Sequence, residues 1–231
     1  MPSRRRGREP VARKLILCVL VSSVLFVLWG CEVEGPRTSN IDRPATVPGE
    51  KTEAELLAAV NEKFENPQGH YDLARVYHKA QNWTKADYHY NVALGFDPAY
   101  RAVQAGIVKM WIDRGQTSKA EQLANTYIGQ ATVTVRDTLR LGWEFEQLGL
   151  DDYALRSYQQ AVDAAPDSYE ANRQIGFYYL SKGDQTKAKQ YLMRSFDLYP
   201  RQPDVAGALG RLGVVVQLPE GAVETPAPGP K

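Results

Sequence analysis

Few side chains in this sequence combine a reactive type with a spacing that could support chemistry. Cys31 closes the stretch Leu28-Trp29-Gly30-Cys31 at the end of the first apolar run, and its thiol is the outstanding candidate for covalent modification. The other cysteine, Cys18, lies inside the apolar run, so an exported chain that loses this run keeps one cysteine and has no internal disulfide to form. Three histidines, His70, His78 and His89, fall close together, which invites a metal site. No cysteine accompanies them, and neither an i, i+4 pair nor HExxH spacing is present, so we expect surface histidines and no metal. Asp151-Asp152 reads as helix capping in preference to a catalytic carboxylate pair. The sequence has no glycine-rich phosphate loop and no GxSxG, so no catalytic residue, cofactor or enzymatic activity is expected.

Behind these residues stand the segments that must position them. Met1 to Lys14 carries Arg4, Arg5, Arg6, Arg8, Arg13 and Lys14 against the single Glu9, and Leu15 to Trp29 is uncharged. A basic n-region, a short apolar core and a small residue before Cys31 form the layout of a bacterial secretory signal. The apolar run is shorter than the ~20 residues a membrane-crossing helix needs, which favours removal over retention. Arg4 to Arg6 read as an ordinary n-region. The N-terminal surplus leaves the remaining 201 residues at a net charge of −4, which argues against nucleic acid as a partner. With 43% hydrophobic and 24% charged residues, the chain has the composition of an ordinary globular domain. Glu32 to Glu50 holds Pro36, Pro44 and Pro48 without apolar periodicity and reads as a tether with a reach of about 25 Å.

Leu28-Trp29-Gly30-Cys31 resembles the lipobox of bacterial lipoproteins. The resemblance implies that Cys31 becomes the acylated, palmitate-bearing first residue of a mature protein held at a membrane of the cell envelope. Glu32 is not the aspartate that retains lipoproteins in the inner membrane, which favours the periplasmic face of the outer membrane.

The body of the chain repeats itself every 34 residues, four times and without a gap. One column reads Leu73, Ile107, Leu141, Ile175, and the next Ala74, Val108, Gly142, Gly176. An aromatic column reads Tyr77, Trp111, Phe145, Tyr179; a small one reads Ala86, Ala120, Ala154, Ala188; and Pro98, Thr132, Pro166, Pro200 close the units. Each unit holds two helical stretches parted by turn residues, namely Gln81-Asn82, Arg114-Gly115, Leu148-Gly149 and Lys182-Gly183. Small residues at the crossing let the paired helices approach closely. Asp151 and Asp184 are expected to cap second helices. In the second unit, Ala124 stands where Tyr90, Tyr158 and Leu192 stand elsewhere, and Tyr127 replaces a small residue one turn on, which reads as local repacking. Gly129 is expected to stop its second helix, leaving a looser join to the third unit.

These columns resemble the tetratricopeptide repeat. The resemblance implies an all-α fold, a right-handed superhelical solenoid of helix-turn-helix units with capping helices. It divides the chain into a signal peptide (1–30), a flexible tether after the lipidated cysteine (31–50), an N-terminal capping helix (51–66) opened by a Thr52–Glu55 capping box, and four repeats (67–100, 101–134, 135–168, 169–202), the second degenerate. A C-terminal capping helix (203–213) and a Pro/Gly-rich tail (214–231) follow. The resemblance also places a ligand groove on the concave face, where Tyr71, Arg75, Lys79, Lys109, Arg136, Trp143, Arg173 and Phe177 would meet a protein or an extended peptide of acidic or C-terminal character. The expected function is a membrane-anchored interaction scaffold of the envelope, similar to the repeat-containing lipoproteins of type IV and Flp pilus or secretion-system assembly. The alternatives are an adaptor for cell-wall hydrolases or proteases, and an accessory subunit of an envelope enzyme.

Overall fold

The computed structural model describes residues 51–217 and 219; the expected signal peptide, Cys31, the expected tether and most of the expected tail lie outside them. Among the described residues the fold is all-α. Ten helices follow one another: α1 (Glu53–Glu62), α2 (Pro67–Lys79), α3 (Trp83–Phe96), α4 (Arg101–Asp113), α5 (Thr117–Ala131), α6 (Val135–Gln147), α7 (Asp151–Ala164), α8 (Tyr169–Ser181), α9 (Gln185–Leu198) and α10 (Pro203–Arg211). The pairs α2–α3, α4–α5, α6–α7 and α8–α9 are antiparallel hairpins, α1 rests on the first, and α10 rests on the last.

One turn, used four times, makes the hairpins. Gln81, Gly115, Gly149 and Gly183 occupy equivalent places, and all four have positive φ, at 56°, 81°, 69° and 80°. The residue after each donates its N–H back to the carbonyl of the aromatic column: Asn82 to Tyr77 (2.8 Å), Gln116 to Trp111 (2.8 Å), Leu150 to Phe145 (2.9 Å) and Asp184 to Tyr179 (3.0 Å). This left-handed closure satisfies the orphan carbonyls at the end of the first helix. The donor residue is also the N-cap of the second helix, so one residue ends one helix and starts the next. Asn82 and Asp184 cap with their side chains, from Lys85 N and Lys187 N. The register corrects the expectation for Asp151: the cap position there is Leu150, which offers no side-chain acceptor, and Asp151 is the first helical residue. Its carboxylate instead favours the positive end of α7 and accepts from Lys182 Nζ at 2.6 Å.

At the entry to the first helices, Asn66, Thr134 and Ser168 each accept from the backbone N–H three residues on, and Thr52 and Glu55 form the expected reciprocal box on α1. Gly129 does not stop α5, which runs on to Ala131; Gly129 is exposed in its last turn. The join to α6 is tied, since Thr138 Oγ1 donates to the Ala131 carbonyl at 2.8 Å.

That bond belongs to a buried polar column not anticipated from the sequence. His70, Gln104, Thr138 and Asn172 stand one repeat apart, and each is buried. Each reaches back to a carbonyl just before its own helix: Phe64 for His70 (2.9 Å), Pro98 for Gln104 (2.9 Å), Ala131 for Thr138 and Pro166 for Asn172 (2.9 Å). Four inter-helix loops are thus fastened by the same position. A buried carbonyl left unpaired would cost roughly 1–3 kcal/mol, which is reason enough for polar side chains in a mainly apolar interior.

The helix crossings use size complementarity. A Cβ built on Gly142 would stand 2.6 Å from Tyr158 Cε1, and one on Gly176 would stand 2.8 Å from Leu192 Cδ2. The large side chain of the second helix therefore sits against the bare backbone of the first. The second hairpin inverts the sizes, with Val108 and Ala124 in these two columns, both buried. Tyr127, one turn on from Ala124, is buried as well. One apolar cluster runs from Leu56 to Tyr178, and a second joins Leu192 and Phe196 to Val205, Ala208 and Leu209 of α10.

Candidate functional site

A groove of about 840 Å³ opens along α2, with α1, α3, α4 and the end of α6 contributing to its walls. Four of the eight groove residues expected from the sequence line it together. Tyr71, Arg75 and Lys79 are spaced four apart on α2 and share a face, and Lys109 of α4 is the equivalent of Arg75 one repeat later. Tyr71 is half-buried, with the Arg75 guanidinium 5.7 Å from its ring centroid, and burial raises its hydroxyl above the usual tyrosine range.

Between the two cationic helices lies a hydrogen-bonded chain the sequence reading did not assemble. His78 Nε2 meets Asp113 Oδ2 at 3.0 Å, and His78 Nδ1 meets the Tyr90 hydroxyl at 3.3 Å. A neutral His78 with its proton on Nε2 satisfies both, donating to the carboxylate and accepting from Tyr90. Burial pulls the imidazole below the ordinary histidine value, and the bond to Asp113 opposes that. Burial also pushes the Tyr90 hydroxyl far up, so it stays a donor. Asp113 accepts from Lys109 Nζ as well, so its charge is shared by two donors. Arg75 and Lys79 carry no ion pair among the described residues. The groove therefore offers the cationic heads of Arg75 and Lys79, protonated phenols and the apolar Val76 and Leu148, beside two carboxylates, Asp113 and Asp72, the latter accepting from Gln68 Nε2 at 2.9 Å. The unpaired cations can form charge-assisted hydrogen bonds to anionic groups. Of these, Tyr90 was hidden from sequence reasoning because its column looks like core; the Asp113 position was visible one repeat after Lys79.

The other four expected residues lie outside this lining. Arg136 is exposed in the first turn of α6. Trp143 is 40% exposed, and the Arg140 guanidinium lies 4.9 Å from its ring centroid while bonding Glu144 Oε1 at 2.7 Å. Arg173 is engaged by Asp204 of α10, with its guanidinium 5.1 Å from the Phe177 ring, and Phe177 packs partly into the C-terminal cluster.

The histidines are not on the surface as expected. His70 is wholly buried, His89 nearly so, and His78 half-buried. A position in a repeating polar column was the signal that could have revealed His70. Among the described residues no group of three His, Cys, Asp or Glu side chains is placed to hold a metal, and no helix is long and apolar enough to cross a membrane.

Comparison with known proteins defines the class of the last hairpin: residues 169–202 match the tetratricopeptide repeat, so the chain carries at least one such unit. No curated protein matches the chain. Among solved structures, the crystal structure of MamA protein is 17% identical over 63% of this chain and 80% of that one, with a TM-score of 0.38. A thermophilic TPR protein of Thermus thermophilus is 18% identical over 69% and 88%, at 0.40. PilF of Pseudomonas aeruginosa is 18% identical over 63% and 67%, at 0.36. Likeness at this level carries no argument about function.

Proposed function

We propose that this protein is a non-catalytic, lipid-anchored scaffold of the bacterial envelope that holds an acidic, extended segment of a protein partner in the groove of its first two hairpins. The observation that carries the reading is the convergence of Tyr71, Arg75, Lys79 and Lys109 on one groove, whose two carboxylates, Asp72 and Asp113, are engaged by Gln68 and by His78 and Lys109, so that Arg75 and Lys79 are in no ion pair among the described residues. Anchoring through Cys31 at the periplasmic face of the outer membrane, and a narrower role in pilus or secretion-system assembly, rest on the lipobox and repeats of the sequence alone. Trp143, Arg136, Arg173 and Phe177 would extend the contact along the later repeats.

The test is charge reversal in the groove. A double variant, Arg75→Glu with Lys79→Glu, should lose binding of a labelled glutamate-rich peptide by at least tenfold, the scale of one charge-assisted contact or more. The wild-type affinity should fall with added salt. Equal binding by the folded double variant would remove the groove from consideration.

A further inference from the structure

His70 and His89 face each other through the same ring nitrogen. His70 Nδ1 and His89 Nδ1 are 2.9 Å apart, and His70 Nε2 is 2.9 Å from the Phe64 carbonyl in the loop between α1 and α2. The carbonyl can only accept, so His70 carries its proton on Nε2 and presents a lone pair at Nδ1. His89 must then carry its proton on Nδ1. Of the four residues in the polar column, His70 is the one that titrates; Gln104, Thr138 and Asn172 make the same kind of bond with neutral groups.

We propose that the His70–His89 pair is an acid-labile latch, which fastens the α1–α2 loop to the first hairpin when neutral and releases it when protonated. The reason is the number of protons the contact accepts. Three protons are available to four ring nitrogens at most: His89 can take a second on Nε2 without disturbing the contact, but a proton on His70 Nδ1 sets N–H against N–H. The doubly charged pair is therefore incompatible with the closed arrangement.

The surroundings oppose even the first added proton. Tyr77 stacks on His89 with centroids 5.4 Å apart and gives its own hydroxyl to Glu53 of α1. Tyr88 from α3 and Phe64 and Phe96 close over the rings edge-on or tilted. The charged group acting on the pair from α3 is Lys85, a cation, and no carboxylate among the described residues acts on either ring. Burial lowers both imidazoles below the ordinary value of 6.5, and the Phe64 bond only partly opposes this for His70. The unfolded chain thus binds more protons than the folded one below about pH 6.5, so stability is complete above that pH and is lost as the pH falls. Each imidazole that charges only on unfolding raises the unfolding constant by up to roughly tenfold per pH unit, and the pair by up to roughly a hundredfold. Release should begin at α1, the first helix of the described residues, which packs chiefly against α2.

The test compares the full-length chain in detergent with a His70→Gln variant, which copies the Gln104 position and keeps a donor for the Phe64 carbonyl. Denaturant melts from pH 7.5 to 5.0 should show the wild type losing stability with the steeper slope, by at least tenfold more in the unfolding constant across that range; His78 is common to both and cancels. Parallel pH profiles would overturn the proposal. Nitrogen-15 spectra of the wild-type imidazoles provide a reading that needs no variant. The latch requires the Nε2–H tautomer at His70 and the Nδ1–H tautomer at His89 at pH 7.5; two Nε2–H rings, or both rings titrating near 6.5, would refute it.

Discussion

Gln81 holds the turn of the first hairpin in a conformation that glycine supplies in the other three. Its φ of 56° places a side chain in the left-handed region, which costs roughly 1–2 kcal/mol for an L-residue. Glycine escapes that cost but loses roughly 0.5–1 kcal/mol through its freer unfolded backbone. Gln81→Gly should therefore stabilise the protein by about 0.5–1 kcal/mol, or about 1–4 °C in melting temperature at this chain length. The reverse change is Gly149→Ala. Nothing lies within 4 Å of a Cβ at Gly149, so its effect is confined to the backbone and should be a loss of about 1 kcal/mol. Gly142→Ala separates this mechanism from packing. A Cβ there meets the Tyr158 ring at 2.6 and 2.7 Å, and a ring held in the core has little room to yield, so about 1–3 kcal/mol should be lost. Urea melts of the three variants beside the wild type measure all of these. Destabilisation by Gln81→Gly would refute the reasoning about the turn, and a neutral Gly142→Ala would refute the seating of Tyr158 on α6.

Two further outcomes follow from the site and the anchor. Asp113→Asn removes the charge that supports protonation of His78, leaving burial and the Lys109 cation, which both oppose it; the His78 titration, followed by proton NMR, should move to lower pH, and a move upward would contradict the assigned bond. Cys31→Ser should abolish palmitate labelling and leave an uncleaved precursor; normal processing would sink the lipoprotein reading.

The hairpins were legible because periodicity is a statement about many residues at once. Columns such as Tyr77, Trp111, Phe145 and Tyr179 repeat without a gap, and a helix pair follows from them whatever any single residue does. Positions decided by one bond were not legible. Asp151 has the type of a cap, but the backbone bond from Leu150 to Phe145 sets the register one residue earlier. His70 and His89 have types usual at surfaces, and only the fold shows that one fastens a loop and the other supplies its partner. Half of the expected groove residues came together because α2 presents every fourth residue on one face. Of the other half, Arg136 and Trp143 stand on α6 outside the lining, and Arg173 and Phe177 on α8 are engaged by α10 and its cluster.

The central claim is that the partner lies against α2 and α4. A photo-crosslinking amino acid placed at Lys109, within the groove lining, can be compared with one at Met193, exposed on α9 and outside it. After irradiation in cells, mass spectrometry of the adducts should find a partner peptide rich in Asp and Glu attached at position 109 and none at 193. The same partner captured at 193 and not at 109 would contradict the account.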